Sequence, residues 1–189
     1  MEEAVSRIER AATAVDPVLR AVTTDQLSRP TPCEDWDLRT LLDHVLNNLN
    51  GWVATLDGRD RPGDDASPLR EAGDDVAAAW GPEQAALIKA FSAPGALDRE
   101  VQTRQGPGSA RMLAAIVPLE LMLHGWDVAR TMDASTDLDA DLAEELLATG
   151  RELMEGRPRT VFGEEQPAPD GATAADRLAA FYGRSVQEG

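Results

Sequence analysis

Apolar residues recur at helical spacing along most of the chain, and polar stretches rich in Pro, Gly and Asp separate the runs. Val5, Ile8, Ala12, Val15, Leu19 and Val22 predict a first helix from about Glu2 to Thr24, kinked at Pro17. Pro30 and Pro32 exclude a helix over 27–36. Asp37 suits an N-cap, and Leu38, Leu41, Leu42, Val45, Leu46, Leu49, Trp52, Val53 and Leu56 then form a stripe that Gly58 ends. Ser67-Pro68 opens a third helix, expected to run to about Phe91 with Val76, Trp80, Leu87 and Phe91 inward and a kink at Gly81-Pro82. Residues 94–108 read as a long connection closed by Gly106-Pro107-Gly108.

The fourth helix, about Ser109 to Met132, is apolar nearly all round: Met112, Leu113, Ile116, Val117, Leu119, Leu121, Met122, Leu123, Trp126 and Val128. Such a helix belongs at the centre of a bundle. A fifth is expected from about Leu138 to Met154, with Leu142, Leu146 and Leu153 inward. Residues 155–171 read as irregular, and a short last helix covers about Ala174 to Tyr182. Strong helix formers dominate while strand-favouring residues are scarce. The expected class is all-α: an antiparallel four-helix bundle over about 1–155, with a short C-terminal extension over 156–189, the whole chain making one domain.

Charge narrows the partners. The 189 residues carry 34 acidic and 18 basic side chains, a net charge of −16. Such a surface repels phosphate backbones and anionic lipid, so neither nucleic acid nor a membrane is expected as partner. No uncharged apolar run reaches the length of a membrane span, and no basic-then-apolar start marks a leader; a cytoplasmic protein is expected, with homodimerisation left open. The one cysteine, Cys33, rules out an internal disulfide framework; with Glu34 and Asp35 beside it, a buried structural thiol is expected rather than a nucleophile. Trp36, Trp52, Trp80 and Trp126 are expected in the core. The acidic stretches Asp64-Asp65, Asp74-Asp75 and 137–145 read as solvated faces.

Two histidines are present, His44 and His124, one on each of the two clearest helices. Glu120 precedes His124 by four residues, so both project from one helical face inside an otherwise apolar run. A carboxylate there is costly unless paired or bound to an ion. His44 lies at the edge of its helix stripe, with Asn48 continuing that edge toward a cleft. If the second and fourth helices are neighbours, His44, Glu120 and His124 converge. Two imidazoles and a carboxylate suit a divalent transition ion and leave one position open. Spacing alone leaves a second reading: Glu120 and His124 as an internal hydrogen-bonded pair, with His44 exposed. Asp127 is placed to orient His124 or to pair with an arginine such as Arg130.

The segment Thr31-Pro32-Cys33-Glu34-Asp35-Trp36-Asp37-Leu38-Arg39, followed by Leu41-Leu42-Asp43-His44-Val45, resembles the opening motif of the mycothiol-dependent maleylpyruvate isomerase N-terminal domain family. That family sits within the wider DinB-like and YfiT-like metal-binding bundles. Glu120-Leu121-Met122-Leu123-His124-Gly125-Trp126-Asp127-Val128-Ala129-Arg130 resembles its second motif. Phe162-Gly163 and Asp176-Arg177-Leu178-Ala179-Ala180-Phe181-Tyr182-Gly183-Arg184 resemble the end of one actinobacterial branch. The resemblance implies a four-helix bundle with a divalent metal, most often zinc, held at His44, Glu120 and His124, nickel or iron being the other ions such donors accept. It further implies mycothiol as the thiol activated for transfer or isomerisation of a small electrophilic substrate. The extra C-terminal domain of the true isomerases is expected to be missing. A hydrolase using a bound water and a non-enzymatic ligand-binding bundle stay open as alternatives.

Overall fold

Asp37 begins the second helix as its side chain predicts. In the computed structural model, which describes residues 2–63, 65–104, 106–155 and 162–186, its carboxylate accepts from the Thr40 backbone N–H at 2.9 Å. Gly58 closes the same helix at φ +68°, a conformation that costs glycine little. This helix, α2 (Leu38–Asp57), buries the stripe from Leu38 to Leu56. The helix before it, α1 (Glu2–Arg20), buries Ile8, Ala11, Ala12, Val15, Val18 and Leu19, and Pro17 lies inside it without ending it.

The third expected helix divides at a different place. A single turn, α3 (Pro68–Glu71), stops at Gly73 and Asp74, which take φ values of +71° and +63°. Asp75 then caps α4 (Val76–Ser92), and Pro82 is carried inside that helix. The break lies at 72–75 rather than at Gly81-Pro82 because Arg39 on α2 forks onto both Asp74 oxygens, at 2.5 and 2.7 Å, and pins the turn. The connection over 94–108 also departs from expectation. It carries a two-stranded antiparallel hairpin, β1 (Glu100–Thr103) with β2 (Gly106–Ser109), registered Glu100 to Ser109 and Thr103 to Gly106. One buried side chain, Val101, anchors β1, too little apolar pattern to announce a strand.

Ser109 caps α5 (Ala110–Thr131), whose second half, from Leu121 to Ala129, is buried throughout. By length and composition α5 is apolar enough to cross a bilayer; here it is the central helix, mostly covered by its neighbours. α5 packs on α1 and α2, and α4 closes the bundle by packing on the same two helices. Gly125 sets the α1–α5 spacing, since a Cβ there would stand 2.2 Å from Val15 Cγ1. Met112 and Ile116, near the start of α5, are 44% and 39% exposed and leave one face open.

α6 (Ala140–Met154) and α7 (Ala174–Phe181) pack on each other and against the edges of α1 and α5. Leu142 and Leu146 face inward as expected, but Leu153 is 57% exposed and Leu147 is buried instead. The Trp126 indole N–H donates to Asp176 at 2.7 Å and ties α7 to the core helix. Asp64 of the acidic stretches, and residues 156–161 and 187–189 of the expected extension, lie outside the described residues.

α6 is held to α1 by polar contacts. Asp139, its N-cap, accepts from Leu142 N at 2.9 Å and takes a two-pronged contact from Arg10 at 2.7 and 2.8 Å. Arg10 also reaches Glu145, and these hydrogen bonds hold both carboxyls below their usual range. Replacing Asp139 with Ala is expected to lower stability by about 1 kcal/mol through the lost cap, read as a shift in the urea midpoint. Because both carboxyls titrate lower folded than unfolded, their contribution is present above about pH 4 and drains away as the pH falls further; acid unfolding followed on D139A should show a shallower loss over that window.

Candidate metal centre

α2 and α5 lie side by side, so the condition set by the sequence is met. Asp37 fixes where α2 begins, and with it the face on which His44 stands two turns later. His124 and Glu120 project one turn apart from α5. One ligand atom from each of His44, Glu120 and His124 lies within 4.8 Å of the others. The two imidazoles meet edge to face with centroids 5.0 Å apart, and His124 Nε2 stands 3.5 Å from a Glu120 oxygen.

The other nitrogen of His124 is committed. Nδ1 lies 3.0 Å from Asp127 Oδ2, and Asp127 is wholly buried. Arg184, from the segment after α7, donates to both Asp127 oxygens at 3.3 and 3.1 Å, and the Cys33 thiol donates to Oδ2 at 3.2 Å. Asp127 therefore does orient His124, and its arginine is Arg184; Arg130 instead lies over the Trp126 ring at 5.8 Å. Burial opposes charge on Asp127, yet the contacts to His124 and Arg184 hold it below the usual carboxylate range. Burial likewise opposes a proton on His124, but hydrogen bonds to Asp127, Cys33 and Glu120 outweigh it and raise the imidazole. Burial pushes Glu120 up, and His124, with help from Arg184, outweighs it and holds the carboxyl below its usual range.

His44 is the opposite case. Burial, reinforced by the charge on His124 and by Arg104, pushes it down to about 4, against the pull of Glu120. It is neutral at pH 7. Trp36 packs on its ring at 4.8 Å, and Asn48 Nδ2 stands 2.9 Å from its Nε2. A cavity of about 550 Å³ opens onto this end of α2, lined among others by Trp36, His44, Asn48 and Arg104.

The donor set decides which group fits an ion. Cys33, His124 and Asp127 also lie within reach of one another, but the Arg184 guanidinium occupies that side and would repel a cation. On the other side, His44, Glu120 and His124 offer two imidazoles and a carboxylate, a set suited to a divalent transition ion, and His44 is also on the wall of the cavity.

Two expectations change. Cys33 is half-buried and hydrogen-bonded behind the site, rather than sealed in the core. Trp36 is half-exposed on His44, whereas Trp52, Trp80 and Trp126 are core as expected. Sequence reasoning did not find Arg184 or Arg104. Arg184 carried one usable signal, its place in the Phe181-Tyr182-Gly183-Arg184 tail motif; Arg104 carried none, since the turn that presents it was read as loop.

The fold and these residues define an all-α bundle with a His-Glu-His constellation between two of its helices. The family model of the mycothiol maleylpyruvate isomerase N-terminal domain matches residues 8–129, and the chain belongs to that family. An uncharacterised protein of Mycobacterium tuberculosis, found in two strains, is 32% identical over 186 residues, spanning 95% of this chain and 96% of its own. A crystal structure of a histidine-to-alanine variant of the mycothiol-dependent maleylpyruvate isomerase is similar with a TM-score of 0.68 at 17% identity. A second crystal structure of that isomerase matches at 0.59, also at 17% identity. Both matches cover 98% of this chain and 90% of the other. These matches leave a tenth of each of those chains unmatched.

Removing one member of the buried Arg184–Asp127 pair strands the other. Arg184→Met is expected to destabilise the protein by about 3 kcal/mol, and the double variant with Asp127→Asn should recover part of that loss, as a thermal unfolding cycle would measure.

Proposed function

We propose that the protein is a metal-dependent, thiol-using enzyme, an isomerase or transferase acting on a small electrophile, with the ion held by His44, Glu120 and His124. The convergence of these three side chains, with His44 on the wall of a cavity, carries the reading. Zinc is the ion proposed, and mycothiol the thiol, in keeping with the family and with the isomerase that shares the fold. A bound divalent cation supplies Lewis acidity, which lowers the pKa of a thiol beside it.

The chain's own residues do the rest. Asp127 holds His124 Nδ1, so that Nε2 faces Glu120. Arg184 neutralises Asp127, which keeps the dyad from drawing a cation to the wrong side. Glu120 supplies the negative charge that an ion requires, and neutral His44 a second nitrogen. Trp36 covers the His44 ring and limits water access from the loop side. Asn48 stands at the cavity end of the site, placed to contact whatever enters. We further propose that the whole chain works as one such domain in the cytoplasm, with neither nucleic acid nor membrane as partner.

Elemental analysis of the purified protein should find close to one zinc per chain, and His124→Ala or His44→Ala should abolish it while the helical signal is kept; full occupancy in H124A would refute the ligand set. Asp127→Asn should leave the metal bound about 10- to 100-fold more weakly, measured by competition with a chromophoric chelator. Turnover of an electrophile panel should require added thiol, and equal turnover without it would favour a hydrolase using water.

A further inference from the structure

The proline-bearing segment before α2 touches the surroundings of both histidines, and one hydroxyl holds it closed. An antiparallel bridge joins Pro30 to Asp37, and the Leu38 N–H donates to the Arg29 carbonyl at 2.9 Å. Between those ends the backbone ties itself sparingly. The Thr31 N–H reaches the Trp36 carbonyl and the Trp36 N–H the Cys33 carbonyl, each at 3.1 Å, while Pro32 has no N–H to give. Asp35 stands in the left-handed region at φ +65°, less favourable to aspartate than to glycine. The Thr31 hydroxyl supplies what the backbone lacks. Its oxygen accepts from the Cys33 N–H at 3.2 Å, and its proton faces the Trp36 and Cys33 carbonyls at 2.9 and 3.2 Å.

Two side chains leave this turn for the candidate metal centre. Cys33 donates to Asp127 Oδ2, the same oxygen that stands 3.0 Å from His124 Nδ1. Trp36 lies on the His44 ring, the two planes tilted by 51°. The imidazoles belong to different helices, and the turn bears on both from outside the α2–α5 seam. Cys33 and Trp36 are only half-buried, so packing alone fixes neither. Their backbone is held instead by the carbonyls and the N–H that Thr31 engages. Asp37, the cap of α2, anchors the turn one residue after Trp36. Thr31 opens the motif that distinguishes this part of the sequence, yet its hydroxyl touches neither histidine.

We propose that Thr31 is a positioning residue of the metal centre: its hydroxyl locks the 30–37 turn, and the turn steadies both histidines, His44 under Trp36 and His124 through Cys33 and Asp127. The proposal rests on the metal reading above and deepens it, since it assigns the placing of two ligands on two helices to one hydroxyl outside the site. Valine at this position keeps the shape and removes the hydroxyl; serine keeps the hydroxyl and removes a methyl.

Two measurements on the full chain test it: zinc affinity by chelator competition, and, in metal-free protein, NMR of the His44 ring protons, which the Trp36 ring current displaces. Thr31→Val should weaken zinc about tenfold or more and move the His44 protons toward their positions in Trp36→Leu. Thr31→Ser should restore both readings. Cys33→Ala and Trp36→Leu should each weaken zinc, and Thr31→Val should add nothing in a variant lacking both side chains. Asp139→Ala, which loosens a remote helix cap, should change neither reading. The inference is overturned if Thr31→Val leaves either reading as in the parent, or if Thr31→Ser or Asp139→Ala repeats its losses. Should Thr31→Val not fold, Cys33→Ala and Trp36→Leu decide, and zinc bound by both as tightly as by the parent overturns it. A parent that takes no zinc, while its His44 protons respond to Thr31→Val, fails the metal reading alone. A parent that takes zinc equally well with and without the hydroxyl fails this inference alone.

Discussion

A carboxylate with no exposure at all sits at the middle of the molecule, and its compensation organises what surrounds it. Asp127 cannot be charged there without partners: His124 stands one turn back on α5, and two more come from distant parts of the chain, Cys33 from the proline-rich loop and Arg184 from beyond α7. Stability and chemistry meet at this residue. The group that keeps Arg184 and the end segment in place is the group that aims His124.

Histidines on two packed helices would differ little in an ordinary apolar environment. Here they are driven apart. Hydrogen bonds to acceptors raise the His124 imidazole, while burial and the neighbouring charge lower that of His44. One carboxylate behind and another in front of His124 create that asymmetry.

Much of this could be read from the residues. The α2 boundaries followed from Asp37 and Gly58, and α5 followed from its unbroken apolar surface. His44, Glu120 and His124 were distinguished by rarity and by a polar step inside an apolar run. What escaped notice depends on contacts between residues far apart in the chain. The α3–α4 break is fixed by Arg39 reaching Asp74, a pairing that local propensity does not encode. The hairpin carries a single buried Val101. Arg184 acquires meaning only when α7 folds back onto α5, and an isolated arginine near a terminus gives no hint of that.

Gly125 links two demands that a protein engineer would otherwise treat separately. It follows His124 directly, and the absence of its side chain lets Val15 of α1 press against α5. Repacking the α1 seam therefore cannot be done independently of the aim of His124: any residue that pries the two helices apart turns the same backbone that presents the imidazole. In a redesign of this scaffold, interhelical spacing and the direction of the His124 ring form a single variable.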